Sequence, residues 1–593
     1  MRTRRLFLFV FALLAAVAWW ATRGGEVPEG QADTYCREPA PYPADVEERL
    51  GRVQGIALRM QPEESGEHAW ECGAGEPDIG DEAAKKGGRV RLANAGPYPA
   101  HFLAFGSMAP QFFHYNLYTA IEIPLVARHP QTGADIPGTA EAWCAEGNTV
   151  LFRLNPAARY TNGRPLRAAD YVLGALLRAE CGDAGFEHLR DAAVSLEACG
   201  DSLVKLTLRQ APRSAAEAAA LLHAAEPAFY AEFGSDYRTR YADRAAPTTG
   251  AYTLGATERG RMAELRRVKD WWASDLRYYR HRFNADVIEH HFLTDEAQAW
   301  EFLMRGELDL LQTRKVSVWQ QRRPELESQG IIAAAFTAEY PLPPYGIALN
   351  AERLNNTALR RGLMHAADMA QAIALLTCGE GERLTTFHSG YGPLTPRDTP
   401  TAGYDIAAAR AAFAEAGYTT EGEDGILRRA DGAPLRLRFT YTPSDKTNTL
   451  AAVLVASARR CGADIVPEPV PWQTAARMQE AGDYDLLFWV TVAPPEPAPA
   501  RFLSSRAAGY DAPFRLHDAR MDALLEVYAA AAPSERAAAL ADVDRRLAEL
   551  AVWIPAWKEN RLYLGFSPRL RFPRGYTPHL HEAAEEHLFW IEP

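Results

Sequence analysis

Four helix-like segments of this chain each stop at a glycine. Asp295–Arg305 ends at Gly306, Thr357–Leu376 at Cys378-Gly379, Asp405–Ala416 at Gly417 and Leu450–Cys461 at Gly462. Glycine is the residue that enters the left-handed region without steric cost, so this punctuation predicts left-handed C-caps. Between the helices lie strand-like runs: Val90–Ala93, Leu203–Leu208, Asp309-Leu310-Leu311, Leu435–Tyr441 and Tyr484–Val492. Further helices are expected at Asp170–Glu180 and Glu535–Ala551, and Ala44–Met60 has room for one. Strand and helix alternate along the body of the chain, which predicts α/β domains with mixed sheets. At 593 residues the chain is too long for one core, so two or three domains are expected. Residues 24–88 are rich in Pro, Gly and Glu and read as an extension ahead of that body.

One stretch is dense in signals. In "LFRLNPAARYTNGRPLRAADYV", Leu151, Arg153 and Asn155 alternate with Phe152 and Leu154, as in a half-buried strand. Asn162-Gly163 marks a turn, Pro165 stops the strand, and a helix opens at Asp170 or at Arg167-Ala168-Ala169.

Hydrophobic residues make up 47% and charged residues 24%, with a formal net charge of -12. No basic stripe is present, which argues against a nucleic-acid partner. The N-terminus carries Arg2, Arg4 and Arg5, an apolar run Leu6–Ala15, and Ala16-Val17-Ala18 as a small-residue cleavage site. This predicts a signal peptide over 1–18. An uncleaved anchor and a twin-arginine signal are the alternatives, and no Cys adjoins the segment to take a lipid. The seven Cys stand at 36, 72, 144, 181, 199, 378 and 461. An exported chain can pair them, with Cys36–Cys72 and Cys181–Cys199 the local options. No C-x-x-C occurs, which speaks against a zinc ribbon or a thioredoxin-like site.

Catalytic signatures are missing: there is no G-x-S-x-G, no G-x-x-x-x-G-K-[ST] and no H-E-x-x-H. "HLHEAAEEH" offers His579, His581 and His587 to a metal, but reads first as a solvated tail. His290-His291 lie in a strand-like run, where neighbours face opposite ways. "KDWWASDLRYYRHRF" reads as an aromatic segment packed on a domain rather than as a base-stacking platform.

In order, eight pieces of the chain resemble the extracellular solute-binding proteins of the oligopeptide/dipeptide type, solute-binding family 5, which serve ABC transporters. Phe152, Leu154, Tyr160, Asn162, Gly163, Pro165, Ala168, Asp170 and Tyr171 match the family's strand–turn–helix pattern. "PTTGAY" is similar to its "GTGPY" turn, and "KDWWASDLRYYRHRFNADVIEHHF" to its "N-x-x-Y-W" segment. "AWEFLMRGELDLL", "GIALNAERLNNTALRRGLMHAADMAQAI", "YDIAAARAAFAEAGY", "LAAVLVASARRCGADIVPEPV" and "DYDLLFW" follow in the family's order. The resemblance spans roughly residues 85–575. "KDWWASDLRYYRHRFN" and "EAAKKGG" place it nearest the longer branch related to the microcin-C-type peptide binders.

The resemblance implies a periplasmic-binding-protein fold of class II: two lobes hinged about a cleft, with an extra domain inserted in the first. Residues 19–84 are then an N-terminal extension. Lobe I takes 85–115, 229–340 and 556–593, the inserted domain 116–228, and lobe II 341–555. The lobes cross near Tyr340–Gly346 and Trp553–Lys558, and Asn162-Gly163 is scaffold of the inserted domain. It also implies a non-enzymatic, monomeric periplasmic protein without a cofactor. Its partners would be a peptide or peptide-like solute and the permease subunits of an ABC transporter. A non-peptide solute, such as a sugar oligomer or metal chelate, and a sensor without transport are the alternatives. Site residues carried over are Gln312, Tyr340, Tyr345, Arg477, Trp489 and Trp557. Relatives that bind peptides carry "W-x-x-D" after the Tyr-Asp strand, and the Asp neutralises the ligand's ammonium. Here Val492 stands at that position, and Glu496 is the nearest substitute. Trp489→Ala is expected on this reading to weaken binding without unfolding the protein.

Overall fold

The computed structural model describes residues 42–62, 66–94, 97–106, 112–119, 121–293, 295–313, 315–337, 341–397, 401–489, 491, 493–494, 496–532, 534–574 and 587–592. Residues 1–18, expected as a signal peptide, and Cys36, Tyr340, Val492, His579 and His581 lie outside these residues. The Cys36–Cys72 pairing therefore falls outside them too. The chain divides into two compact units. The first is Met1–Arg89, Asn94–Thr294 and His587–Ile591; the second is Val90–Ala93, Asp295–Glu586 and Glu592–Pro593.

In the first unit a mixed sheet runs in the order Ala57–Gln61, Ala193–Cys199, Leu203–Leu208, Thr149–Leu154, Ala140–Glu146. Its first pair is parallel and the rest are antiparallel. The region 44–60 is not one helix. The helix Val46–Leu50 ends at Gly51, Gly55 takes φ +86°, and Ala57–Gln61 joins the sheet. The expected alternation of the Thr149–Leu154 strand also fails at Leu151, which is buried on a second face with Cys144, Cys199 and Leu203. Gly163 takes φ +84° in the turn, as expected. The helix Ala168–Cys181 opens at Arg167, whose backbone N–H donates to Asp170 Oδ2 at 2.9 Å. Asp170 is fully buried and also accepts from Arg164 Nη1 and from the Tyr42 hydroxyl, each at 2.8 Å. One carboxylate thus ties the turn, the helix start and the N-terminal extension together. Cys181 and Cys199 are not paired. The Cys181 thiol donates to the Arg178 carbonyl at its own helix end, whereas Cys199 closes a strand in a separate apolar cluster.

A second group of strands in this unit, Tyr252–Glu258, Met262–Arg267 and Val287–Phe292, is an antiparallel meander. The aromatic segment packs beside it: the indole N–H groups of Trp271 and Trp272 both donate to the Thr249 carbonyl, at 3.0 and 2.8 Å. Gly250, next in the "PTTGAY" turn, has no room for a side chain, because a Cβ would collide with the Ile121 carbonyl. His290 and His291 face opposite ways; His291 pairs with Glu289 at 3.1 Å and His290 is buried. His587 is not part of a solvated tail but is buried against Tyr252 and Phe283.

In the second unit, Arg561–Phe566 runs antiparallel between Leu310–Thr313 and Ile332–Thr337. Leu92 lies opposite Leu310 in parallel register. A mixed sheet is ordered Asp464–Pro469, Arg436–Tyr441, Leu486–Trp489, Gly346–Leu349, Trp553–Pro555. Its first two pairings are parallel and its last two antiparallel. The glycines expected as C-caps, 306, 379, 417 and 462, all take positive φ, between +70° and +92°. Thr357–Leu376 is two helices rather than one, Thr357–Ala366 and Met369–Leu376. Asp368 accepts from the Gln371 N–H at 3.0 Å and so caps a new helix inside a continuous apolar pattern. The helix read from Leu450 starts earlier, at Asp445, because Ser444 caps it through the Thr447 N–H at 3.2 Å. The strand read as Tyr484–Val492 is Leu486–Trp489.

Two outcomes follow for the first unit. Asp170→Ala strips Arg164 of its nearest charge partner inside the protein and is expected to cost about 3–5 kcal/mol in urea unfolding. Burial pushes both His290 and His587 down to about 3. The unfolded chain therefore binds these protons near the ordinary value of about 6.5 while the folded chain does not. Stability is then lost as pH falls from about 6.5 toward 3, by roughly 1.4 kcal/mol per pH unit for each histidine. His587→Phe is expected to flatten that loss between pH 7 and 5; an unchanged slope would contradict it.

Candidate functional site

The second unit holds a cavity of about 680 Å³, its open mouth included. It lies between two sets of elements. One set is the strands Ile332–Thr337 and Arg561–Phe566 with the start of the helix Val316–Ser328; the other is the end of the helix Met369–Leu376, the loop 377–382 and the helix Asp445–Arg460. Residues 557–560 form part of its wall. That segment is fixed by backbone bonds. Ala556 N–H donates to the Tyr345 carbonyl at 3.0 Å, Lys558 N–H to the Glu382 carbonyl at 2.8 Å, and Leu384 N–H to the Ala556 carbonyl at 2.9 Å.

Trp557 is the aromatic centre of the wall. Its ring is near-parallel to Tyr345 and Phe488, at 6.2 and 5.9 Å, and the Lys446 ammonium lies 6.0 Å from its centroid. Its indole N–H donates to Glu559 Oε1 at 3.1 Å, and Lys446 Nζ reaches the same oxygen. Two more carboxylates line the cavity, each facing a cation. Lys558 pairs with Glu382 at 2.8 Å and Arg561 with Glu380 at 3.1 Å. Tyr563 OH also donates to Glu380, at 3.2 Å. Lys558 holds the Glu382 carboxyl below its ordinary value, while burial and the Glu380 charge push the Tyr563 hydroxyl up. Among the described residues the lining contains neither His nor Cys and no nucleophile–base pair. Its chemistry is that of matched, exchangeable charges beside an aromatic stack.

Of the residues singled out in the sequence, Trp557 and Tyr345 come together here. The other described ones, Trp489, Arg477, Gln312 and Glu496, fall elsewhere in the second unit. Trp489 is 1% exposed; it stacks on Phe387 at 5.9 Å inside the core, and its indole N–H has no hydrogen-bond partner among the described residues. Arg477 is on an exposed helix surface and donates to Gln473 O and Thr474 Oγ1 of its own helix. Gln312 pairs with Leu564, one residue out of step with Tyr563, so it leaves its sheet on the opposite face. Glu496 is half-buried in the Pro-rich loop. Parts of that loop, Thr491, Ala493 and Pro494, border a smaller pocket with Phe387 and Phe502.

Sequence reasoning missed Glu380, Glu382, Lys446, Glu559, Arg561 and Tyr563. A signal was present in "WKENRLYLGF", where Arg561 and Tyr563 sit two apart on one strand face. Glu380 and Glu382 straddle Gly381 just after the helix-capping Cys378-Gly379, which drew attention to the cap alone.

Comparison with known proteins adds the following. The family described as bacterial extracellular solute-binding proteins, family 5 Middle, matches residues 136–511. The peptidoglycan-binding protein YepA of Agrobacterium fabrum is 22% identical over 321 residues, so the match spans only about half, 49%, of each chain. The probable peptide-binding protein YejA of the same organism is 22% identical over 558 residues, 82% of this chain and 87% of that one. Among solved structures, NikA from Brucella suis in complex with Fe(III)-EDTA superposes with a TM-score of 0.69 at 20% identity, covering 85% of this chain and all of that one.

Because Trp489 is core rather than cavity wall, Trp489→Ala is expected to cost about 3–5 kcal/mol of stability. Equilibrium unfolding in urea measures it. A variant as stable as the parent would put Trp489 back at an open surface.

Proposed function

This chain belongs to the bacterial extracellular solute-binding proteins of family 5, which makes it a binding protein rather than an enzyme, and we propose that it captures peptides or peptide-like solutes for an ABC transporter permease. The observation that carries this reading is the cavity around Trp557, with Glu380, Glu382 and Glu559 each held against Arg561, Lys558 and Lys446. A peptide brings an ammonium, a carboxylate and unsatisfied backbone groups. It can exchange with these ion pairs at small net cost, because partly exposed pairs are each worth only about 0–1 kcal/mol. Trp557, fixed between Tyr345 and Phe488, gives the wall a rigid apolar edge against which a ligand side chain can rest. In this reading Glu559, with the indole N–H beside it, takes the role that Val492 cannot, and holds the ligand's ammonium.

The cavity would be part of the cleft between lobe I, 85–115, 229–340 and 556–593, and lobe II, 341–555, with 116–228 the inserted domain. Closure about the crossing at 553–558 is favoured only as far as ligand binds the closed form better. The N-terminal segment would send a monomeric protein to the periplasm, where the loaded form meets the permease. A second reading has one observation behind it: NikA, of the same fold, is described with Fe(III)-EDTA, and a paired-charge lining also suits a metal chelate.

The test is calorimetric titration with short peptides of defined ends. Trp557→Ala is expected to lower affinity at least tenfold, measured well below an unfolding midpoint that itself falls, since removing this buried ring costs about 3–5 kcal/mol. Glu559→Gln is expected to weaken binding of peptides with a free N-terminus and to spare N-acetylated ones. Equal affinity of the Trp557→Ala variant and the parent would remove this cavity from the site.

A further inference from the structure

Away from that cavity, in the first unit, three metal-ligating side chains converge. His68 belongs to the N-terminal extension; Cys144 and Glu146 lie two apart on the strand Ala140–Glu146. Their ligand atoms all lie within 4.8 Å of one another. His68 Nδ1 is 3.1 Å from Glu146 Oε1, and Cys144 Sγ is 3.5 Å from the same oxygen. In a tetrahedral site with metal–sulfur near 2.3 Å and metal–nitrogen and metal–oxygen near 2.0–2.2 Å, neighbouring ligand atoms are about 3.3–3.6 Å apart. The nitrogen–oxygen and sulfur–oxygen edges are thus close to those of a tetrahedron.

The surroundings are also those of a built site. Cys144 is 2% exposed, His68 is packed edge-on against Trp70 at 5.5 Å, and the Arg153 guanidinium covers Trp70 at 4.6 Å. Ala140–Glu146 is an edge strand of its sheet. On its open side Glu71 and Trp143 exchange both backbone bonds, at 2.8 and 2.9 Å. An open edge is a liability that proteins cover, and here the extension covers it beside the three ligands.

We propose that His68, Cys144 and Glu146 bind a divalent zinc ion that clips the N-terminal extension to the edge strand of the first unit. The donor set of one sulfur, one imidazole nitrogen and one carboxylate oxygen favours zinc over calcium or magnesium, which take oxygen ligands. Cys144 binds as the thiolate and its proton passes to solvent; the fourth position is open to water.

Cobalt(II) is the probe, because only a cysteine thiolate ligand gives the sulfur-to-cobalt charge-transfer band. The reduced, metal-free exported chain is titrated with cobalt chloride. The expected result is one equivalent bound with that band, bleached by one equivalent of zinc chloride. Cys144→Ser is expected to abolish the band, and Cys378→Ser, at an exposed thiol, to leave it intact. Glu146→Gln and His68→Gln are expected to weaken cobalt binding at least tenfold. Glu146 has more than half of its side chain in solvent, so its variant keeps the test open should Cys144→Ser fail to fold. No band, a band that survives Cys144→Ser, or unchanged affinity in both Glu146→Gln and His68→Gln would overturn the proposal.

Discussion

Residues 553–566 belong to two sheets at once. Trp553–Pro555 is the edge strand beside Gly346–Leu349, and Arg561–Phe566 is the strand between Leu310–Thr313 and Ile332–Thr337. The few residues between them have no freedom to wander, because Ala556 and Lys558 are bonded through their backbones to Tyr345 and Glu382. That tether sets where Trp557 and Glu559 stand. Gly346 makes the arrangement possible, since a Cβ there would run into the Trp553 indole and the Ile554 carbonyl. The cavity wall is thus a by-product of one short run of chain serving two sheets.

The two components of the wall behave differently. Trp557 is 4% exposed and wedged between Tyr345 and Phe488, so its position is fixed before any ligand arrives. The ion pairs are another matter: Lys558–Glu382 and Arg561–Glu380 are partly in water, and screening keeps each of them weak. A fixed aromatic shape with replaceable charges around it suits ligands that share a backbone and differ in side chains. Waters in such a cavity can bridge where side chains leave gaps.

Much of the fold was legible because local signals agreed with tertiary ones. The strand Leu203–Leu208, the helix Arg536–Leu550 and the four glycine C-caps follow directly from periodicity and left-handed preference. Reading failed where a polar residue overrode an apolar pattern, as with Asp368 between two helices and Ser444 ahead of another. It failed at Cys181 and Cys199, where spacing on the chain says nothing of which apolar cluster each thiol joins. Trp557 and Tyr345, picked out in the sequence as aromatic residues, meet at the cavity wall. Trp489, equally aromatic, lies inside the core, and a sequence does not say which face of a buried strand looks that way. The charged lining was invisible because its partners, Glu380 and Arg561 or Lys446 and Glu559, are more than a hundred residues apart.

The proposed function turns on whether the cavity at Trp557 takes peptides. Native mass spectrometry on the protein purified from the exported fraction, followed by denaturation to release what it carries, tests that most directly. A family of released masses that fragment as short peptides is expected, and their loss from the Trp557→Ala variant. A single non-peptide mass, retained in that variant, would contradict it.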